Sequence, residues 1–277
     1  MKSDLHCHSE CSDGSLSVGD ILYYAKRIGL DYIALTDHDT LYGSKIALSL
    51  QNRFGIGVIP GVEISTRDYQ RNRPVHMICY FPKDMDKLQS FLNQTLTSRA
   101  STKLQMIEKI MSIYPVTLGH IQRYSEKSQS IYECHIMQAL ADLGYTNVAI
   151  GPLMKELISS KGSCYVPNCY PDVHEALGIM KQVGGIAVMA HPGQFDSLEL
   201  LEELAAAQTV QGVELNHPRN NEETRKKIET VALKYHLITT GGTDFHGEYA
   251  EKPYPLGSFT SPDQAVISLL EISKKQI

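Results

Sequence analysis

The feature that most constrains this chain is a repeated pattern. Short apolar runs of strand length end in histidine or a carboxylate and are followed by helix-patterned segments. The first run is Asp4-Leu5-His6-Cys7-His8, followed by Ser12-Asp13-Gly14. Side chains alternate along a strand, so His6 and His8 point to one face and Cys7 to the other. Further along, Tyr32–Leu35 runs into Thr36-Asp37-His38-Asp39, Gly61-Val62 into Glu63, and Gly185–Ala190 into His191-Pro192-Gly193. Leu237–Thr240 leads to Gly242-Thr243-Asp244-Phe245-His246, and Val75-His76-Met77 carries a histidine near its start. Imidazoles and carboxylates together are a donor set for Zn, Mn or Fe.

Each residue also has a plainer role open to it. Asp39 or Thr40 could cap the helix that starts near Leu41. Glu63 and His76 could occupy polar strand faces, His191 a turn before proline, and Asp244 a loop. Their shared position at strand ends favours one site built from all of them.

About seven strands alternating with helices imply a parallel sheet with right-handed crossovers. Ligands spread over five or six strand ends favour a closed or nearly closed barrel, because an open sheet gathers residues at one switch point. No glycine-rich dinucleotide fingerprint is present. From Asp84 to about Cys169 the alternation stops and long helical patterns replace it, including Leu104, Ile107, Ile110 and Met111 at helical spacing and a helix near His135–Leu143. The expected organisation is a barrel from residues 1–83 and 170–277, with an inserted helical subdomain at 84–169. Ser17 should cap a helix over Val18–Ile28, with Asp20 three residues on and Gly29 as its stop.

Composition excludes several classes. A formal net charge of -5 argues against a basic nucleic-acid groove. No apolar run approaches a membrane span, and the ligand pattern starts at residue 4, so a cytoplasmic location without a leader is expected. The six cysteines are irregularly spaced, which favours buried thiols over disulfides or metal ligation. His120, His174, His217 and His236 lack partner spacing and are expected to be structural.

With these motifs in order, the chain resembles the PHP (polymerase and histidinol phosphatase) family. Within it, the chain's size and helical insertion resemble the bacterial group containing nucleoside 3′,5′-bisphosphate phosphatases and 5′-3′ exoribonucleases. The resemblance implies an α/β fold, a distorted (β/α)7 TIM-like barrel, holding two or three divalent ions (Mn, Fe or Zn, with Mg a further option). His6, His8, Glu63 and Asp244 would hold the first ion. Glu63 would bridge to a second with His76 and His191, and Asp13, His38 and His246 would hold a third.

The implied reaction is hydrolysis of a phosphomonoester by a metal-bound hydroxide, with Asp37, His38, His191 and Asp244 as catalytic residues. Asp37 would orient a ligand imidazole, and His135 and Arg219 would touch substrate. The substrate expected is a phosphorylated small molecule, a nucleoside 3′,5′-bisphosphate or related nucleotide. Histidinol phosphate and RNA 5′ ends are alternatives, and a metal-binding module without turnover is the non-enzymatic one. No membrane or obligate protein partner is expected. Two departures bear on the substrate: Glu133 and Gln194 stand where the resemblance leads one to expect basic residues, which weakens recognition of a second phosphate.

Overall fold

The strand-and-helix alternation forms largely where the pattern places it. The computed structural model describes residues 1–275, so the last two positions of the 170–277 segment lie outside the described residues. Strand β1 (Ser3–Cys7) is followed by helix α1 (Val18–Arg27), whose Ser17 side chain accepts from the Asp20 amide, as the capping pattern predicts. Gly29, at φ +79°, lets the chain turn out of that helix. Strand β2 (Tyr32–Leu35), helix α2 (Tyr42–Phe54) and the short strand β3 (Gly57–Val58) complete a parallel three-stranded sheet in the order β1-β2-β3.

A second sheet contains β4 (Gly61–Asp68), β5 (Arg73–Tyr80), β6 (Ile186–Met189), β7 (Gly212–Asn216) and β8 (Ile238–Gly241), in that order. Here the structure corrects the all-parallel expectation. β5 runs antiparallel to both β4 and β6, because only a tight polar turn separates β4 from β5. A crossover to a parallel strand needs a dozen or more residues, which this turn lacks.

The strands do not form one closed ladder among the described residues. The two sheets instead meet at isolated bridges, His38 with Glu63 on one side and Cys7 with Phe245 on the other. Backbone bonds at both seams hold them, including Asp39 N–H to Glu63 O (2.8 Å) and His8 N–H to Phe245 O (2.8 Å).

Helices α7 (Val173–Gln182), α8 (Leu198–Ala206) and α9 (Glu222–Tyr235) lie in the second half of the chain, and α10 (Asp263–Lys275) ends the described residues. Val173, Met180, Leu200, Leu204 and Ile228 pack with Val62, Met77 and Val213 of the second sheet. Between β5 and α7 lie α3 (Met85–Met111), α4 (Leu118–Ser125), α5 (Glu133–Asp142) and α6 (Pro152–Leu157). α3 has 27 residues, about 40 Å of helix. Leu88 and Leu92 in its first half join the sheet core, while Met106, Ile107 and Ile110 in its second half join a separate apolar cluster with Ile136, Met137, Leu140 and Leu157. The helical region therefore has its own core yet shares one helix with the sheet. No helix among the described residues is long and apolar enough to cross a membrane.

Candidate metal centre

His6 lies within β1 and His8 just beyond it, both fully buried. The turn after them returns Asp13 towards His8, whose Nδ1 is 3.4 Å from Asp13 Oδ1. That turn needs glycine: a Cβ on Gly14 would sit 2.3 Å from the His8 carbonyl oxygen. His38 follows β2, Glu63 is in β4, His191 follows β6, and Asp244 and His246 follow β8. His76 sits inside β5, paired across from Ser65. Because β5 is antiparallel, the beginning of that strand, not its end, reaches the site.

Glu63 is the centre of the arrangement. Its Oε1 lies 2.8 Å from His76 Nδ1 and 2.8 Å from His191 Nε2. Its Oε2 lies 3.1 Å from His6 Nε2, 3.2 Å from His8 Nε2 and 3.3 Å from His38 Nδ1. Three constellations share these side chains: His6, His8, Glu63 and Asp244; His8, Asp13, His38 and His246; and His38, Glu63 and His76. In each, the donor atoms lie within 4.8 Å of one another. With His191 at Glu63 Oε1, these constellations bring together all nine residues expected as ligands, and no cysteine is in any constellation among the described residues.

The donor chemistry fits divalent ions. Both ring nitrogens of His8, and Nδ1 of His38 and of His191, are buried without a well-aligned hydrogen-bond partner. Buried polar atoms are rarely left this way without a ligand to meet them. Burial opposes charge throughout the cluster, yet the imidazoles around Glu63, and His246 and His38 beside Asp13, hold both carboxylates well below the usual carboxylate range. Burial also opposes a proton on His6, but Glu214, Glu63 and Asp244 outweigh it and raise its pKa well above the usual imidazole range. His38 is pushed down to about 3, chiefly by burial, which keeps it neutral as a ligand must be. A site with this many carboxylates binds protons when it lacks metal and gives them up to a cation.

Three backbone positions here adopt positive φ without being glycine: Asp39 at 57°, His191 at 22° and Asp244 at 53°. Such conformations cost free energy and persist where the surroundings over-determine them.

Asp37 has a different role from the one expected. It is buried, and its carboxylate accepts from the Ser9 amide (2.7 Å), the Ser9 hydroxyl (2.8 Å) and the Ser12 hydroxyl (2.7 Å). It fastens the His8–Asp13 turn and makes no hydrogen bond to an imidazole among the described residues. Gly43 lies against it, where a Cβ would come 1.9 Å from Asp37 Oδ2.

The centre opens into a cavity of about 400 Å³ lined by Asp13, His38, Glu63, His76, His191, Asp244 and His246 at its floor. Tyr132, Glu133 and Cys134 from the start of α5 form part of the wall, with Gln194, Arg219, Tyr249, Glu251 and Lys252 around it. Arg219 therefore sits where a substrate contact is expected. His135 does not: it is buried, accepts the Tyr132 amide at Nδ1 (3.1 Å), and caps α5 without lining the cavity. Glu133 pairs with the buried Lys103 at 2.7 Å.

Sequence reasoning missed Glu214, His217, Arg99 and Tyr132. Glu214 lies 3.0 Å from His6 Nδ1, and His217 forms a further constellation with His6, His191 and Glu214. His217, expected to be structural, lies against the site, its Nε2 3.5 Å from Asp244 Oδ2. Its signal was Glu214 itself, a carboxylate in a strand whose neighbours all end in ligands. Arg99 reaches from α3 to Asp39 Oδ2 (2.6 Å) and donates to the Tyr132 hydroxyl (3.2 Å), which in turn donates to the His38 carbonyl (2.9 Å).

Known proteins share this architecture. The PHP domain family profile matches residues 4–157. A phosphoribosyl 1,2-cyclic phosphate 1,2-diphosphodiesterase from Eggerthella lenta is 32% identical over 256 residues, covering 92% of this chain and 97% of its own. A 3′,5′-nucleoside bisphosphate phosphatase from Chromobacterium violaceum is 27% identical, covering 88% and 86%. Among solved structures, a chain from Bifidobacterium adolescentis described as a metal-dependent phosphoesterase superposes with a TM-score of 0.90 at 28% identity, covering 98% of this chain and 96% of its own.

Proposed function

This chain belongs to the PHP family, and from that premise we propose that it hydrolyses a phosphate ester of a small nucleotide-like molecule at the Glu63-centred site. Two or three divalent ions are its cofactors on this reading, held by His6, His8, Asp13, His38, Glu63, His76, His191, Asp244 and His246. The observation that carries the proposal is Glu63, one buried carboxylate against five imidazoles at the floor of an open cavity. Bound there, divalent ions supply an activated water and neutralise phosphoryl oxygens.

The chain's own residues do the rest. Asp37 holds the His8–Asp13 turn in register, and the strand seams at His38 and Phe245 fix the spacing of the ligands. Arg219 and Lys252 meet a second anionic group of the substrate at the wall, while Glu251 and Glu133 are held by Lys155 and Lys103. We read residues 84–169 as the inserted subdomain that shapes this wall. β3 and β4, separated by Ile59 and Pro60, are read as one interrupted strand. With β1, β2, β5, β6, β7 and β8 it makes a distorted seven-membered ring. Proline has no amide to donate, which accounts for the interruption.

The favoured substrate is a nucleoside 3′,5′-bisphosphate. A five-membered cyclic phosphate of a phosphorylated ribose is the second reading, supported by the identity and coverage of the Eggerthella lenta relative and by the neutral Gln194 and paired Glu133 on the wall. Phosphate release from adenosine 3′,5′-bisphosphate in Mn, compared with ring opening of a ribose 1,2-cyclic phosphate, separates them. Turnover of the bisphosphate alone supports the first reading, turnover of the cyclic ester alone the second. Metal uptake without turnover of either removes both substrates and points to an RNA 5′ end or histidinol phosphate.

A further inference from the structure

Beside the Glu63 centre, His6, His191, Glu214 and His217 bring donor atoms within 4.8 Å of one another, all of them buried and only His191 lining the cavity. By composition this is a fourth metal site. Its hydrogen bonds give it another use. Glu214 Oε1 lies 3.0 Å and Oε2 3.2 Å from His6 Nδ1. Oε2 also accepts from the His191 amide at 3.0 Å. A carboxylate at Nδ1 holds the proton there and leaves the lone pair on Nε2. In that tautomer Nε2 faces Glu63 Oε2 at 3.1 Å and Asp244 Oδ1 at 3.5 Å, a set of three donor atoms placed to share one cation.

His217 is fixed the opposite way round. Its Nδ1 accepts from the Arg219 amide at 3.0 Å, so a neutral ring carries its proton on Nε2. Nε2 points between Asp244 Oδ2 at 3.5 Å and Glu214 Oε2 at 3.7 Å and has no other partner. A ring with an acceptor at Nδ1 and a proton at Nε2 has no free lone pair for a metal.

We infer that Glu214 and His217 are a supporting layer for the first metal position and not a fourth site. Glu214 sets the tautomer of His6, and His217 steadies the outer oxygen of Asp244, leaving its inner oxygen to the ion. Both act through a ligand, so they are positioning residues. Partners of this kind typically contribute about 10–100-fold in metal affinity. The inference rests on the metal-centre reading above.

The test is a Mn titration of demetallated full-length protein, with bound metal counted per chain and circular dichroism recorded on the metal-free form. Wild type should hold at most three equivalents. Glu214→Gln should fold but bind the tightest ion about 10–100-fold more weakly, with the Co-loaded form showing a shifted visible spectrum. His217→Ala should weaken the same ion, and His217→Gln, which restores an N–H near the Nε2 position, should recover most of the loss. The two His217 variants decide the matter if Glu214→Gln does not fold. Four equivalents in wild type, with one lost in His217→Ala, overturns the inference in favour of a fourth site. Unchanged affinity in Glu214→Gln or His217→Ala also overturns it. Wild type that takes up no Mn overturns the metal centre itself, and this layer with it.

Discussion

The floor of the cavity and its helical wall are stabilised in different ways. At the floor, nine candidate ligand residues from six strand regions converge, and the imidazoles surround the Glu63 carboxylate. No one strand makes that site; the seams between the sheets do. The wall is an apolar cluster of four helices, tied to the floor by polar contacts such as Ser128 Oγ to the Ser12 carbonyl (2.6 Å) and the Gln129 amide to the Cys11 carbonyl (3.0 Å). The buried ionic tie is Arg99, which lies beside Asp39 and is stacked over the Tyr132 ring with its guanidinium carbon 4.6 Å from the ring centre. The floor should therefore decide whether chemistry happens, and the wall which molecule it happens to.

The largest expected effect breaks the floor. Glu63→Gln removes the charge shared by five imidazoles while keeping the shape. Metal assistance supplies several kcal/mol of transition-state stabilisation, so kcat should fall about a thousandfold or more. The variant should also retain fewer metal equivalents than wild type after dialysis. Wild-type turnover with wild-type metal content in that variant would remove Glu63 from the centre.

Next comes the tie between the regions. Arg99→Met strands the Asp39 carboxylate in a dry site, and breaking a buried pair from one side costs about 3–5 kcal/mol. Urea unfolding should show that loss. The double variant Asp39→Asn, Arg99→Met should recover much of it, since removing both charges is often near neutral. Asparagine also tolerates the φ of 57° at that position. If the double variant is as unstable as the single one, the tie is steric and not ionic.

The same contrast explains what the sequence made legible. Ligands of the floor could be read because a strand places residues at fixed intervals and its end is marked by a change of pattern. His76 was read as a candidate and lies against Glu63, although its strand direction was missed, because alternation looks the same in either direction. The antiparallel pairing followed from the short turn before Pro74, a length cue and not a pattern cue. Glu214 lies mid-strand and had no His-x-His or Asp-His beside it, and His217 had only its sequence neighbours to be judged by. In α3 the clue was present. Leu88, Leu92, Thr95, Arg99, Thr102, Met106 and Ile110 follow the buried stripe of one helix, and an arginine on that stripe demands a buried partner. Which carboxylate it meets depends on where the helix docks, and no local pattern records that. Asp37, read as an imidazole partner, instead holds Ser9 and Ser12, because the turn after His8 folds back over it.

A smaller effect sharpens the wall's part. Arg219→Ala should raise KM about tenfold for a substrate with a second anionic group, the size of one exposed charge-assisted contact, and leave kcat within about twofold. A substrate lacking that group should not register the change. Equal loss on both substrates would mean that the Arg219 side chain acts on the shape of its loop and not on the second anionic group.

The smallest effect concerns Glu133, which lines the cavity and yet should not repel an anionic substrate, because Lys103 already meets its charge. Burial works to raise the Glu133 pKa, but Lys103 outweighs it and leaves the folded value below the usual one. A depressed carboxylate contributes stability at pH values above its unfolded pKa, about 4.3, and that contribution is lost as pH falls through the lower folded value. Glu133→Gln should accordingly be less stable than wild type at pH 7, with a gap that starts to close as pH falls below about 4.3. Its KM at pH 7 should stay within about twofold of wild type, since the charge it removes was already paired. A stability gap that is flat with pH would show that Lys103 and Glu133 are neighbours without coupling. A marked fall in KM would show that the carboxylate does oppose the substrate, and the wall would then select against anions at α5 as well as for them at Arg219.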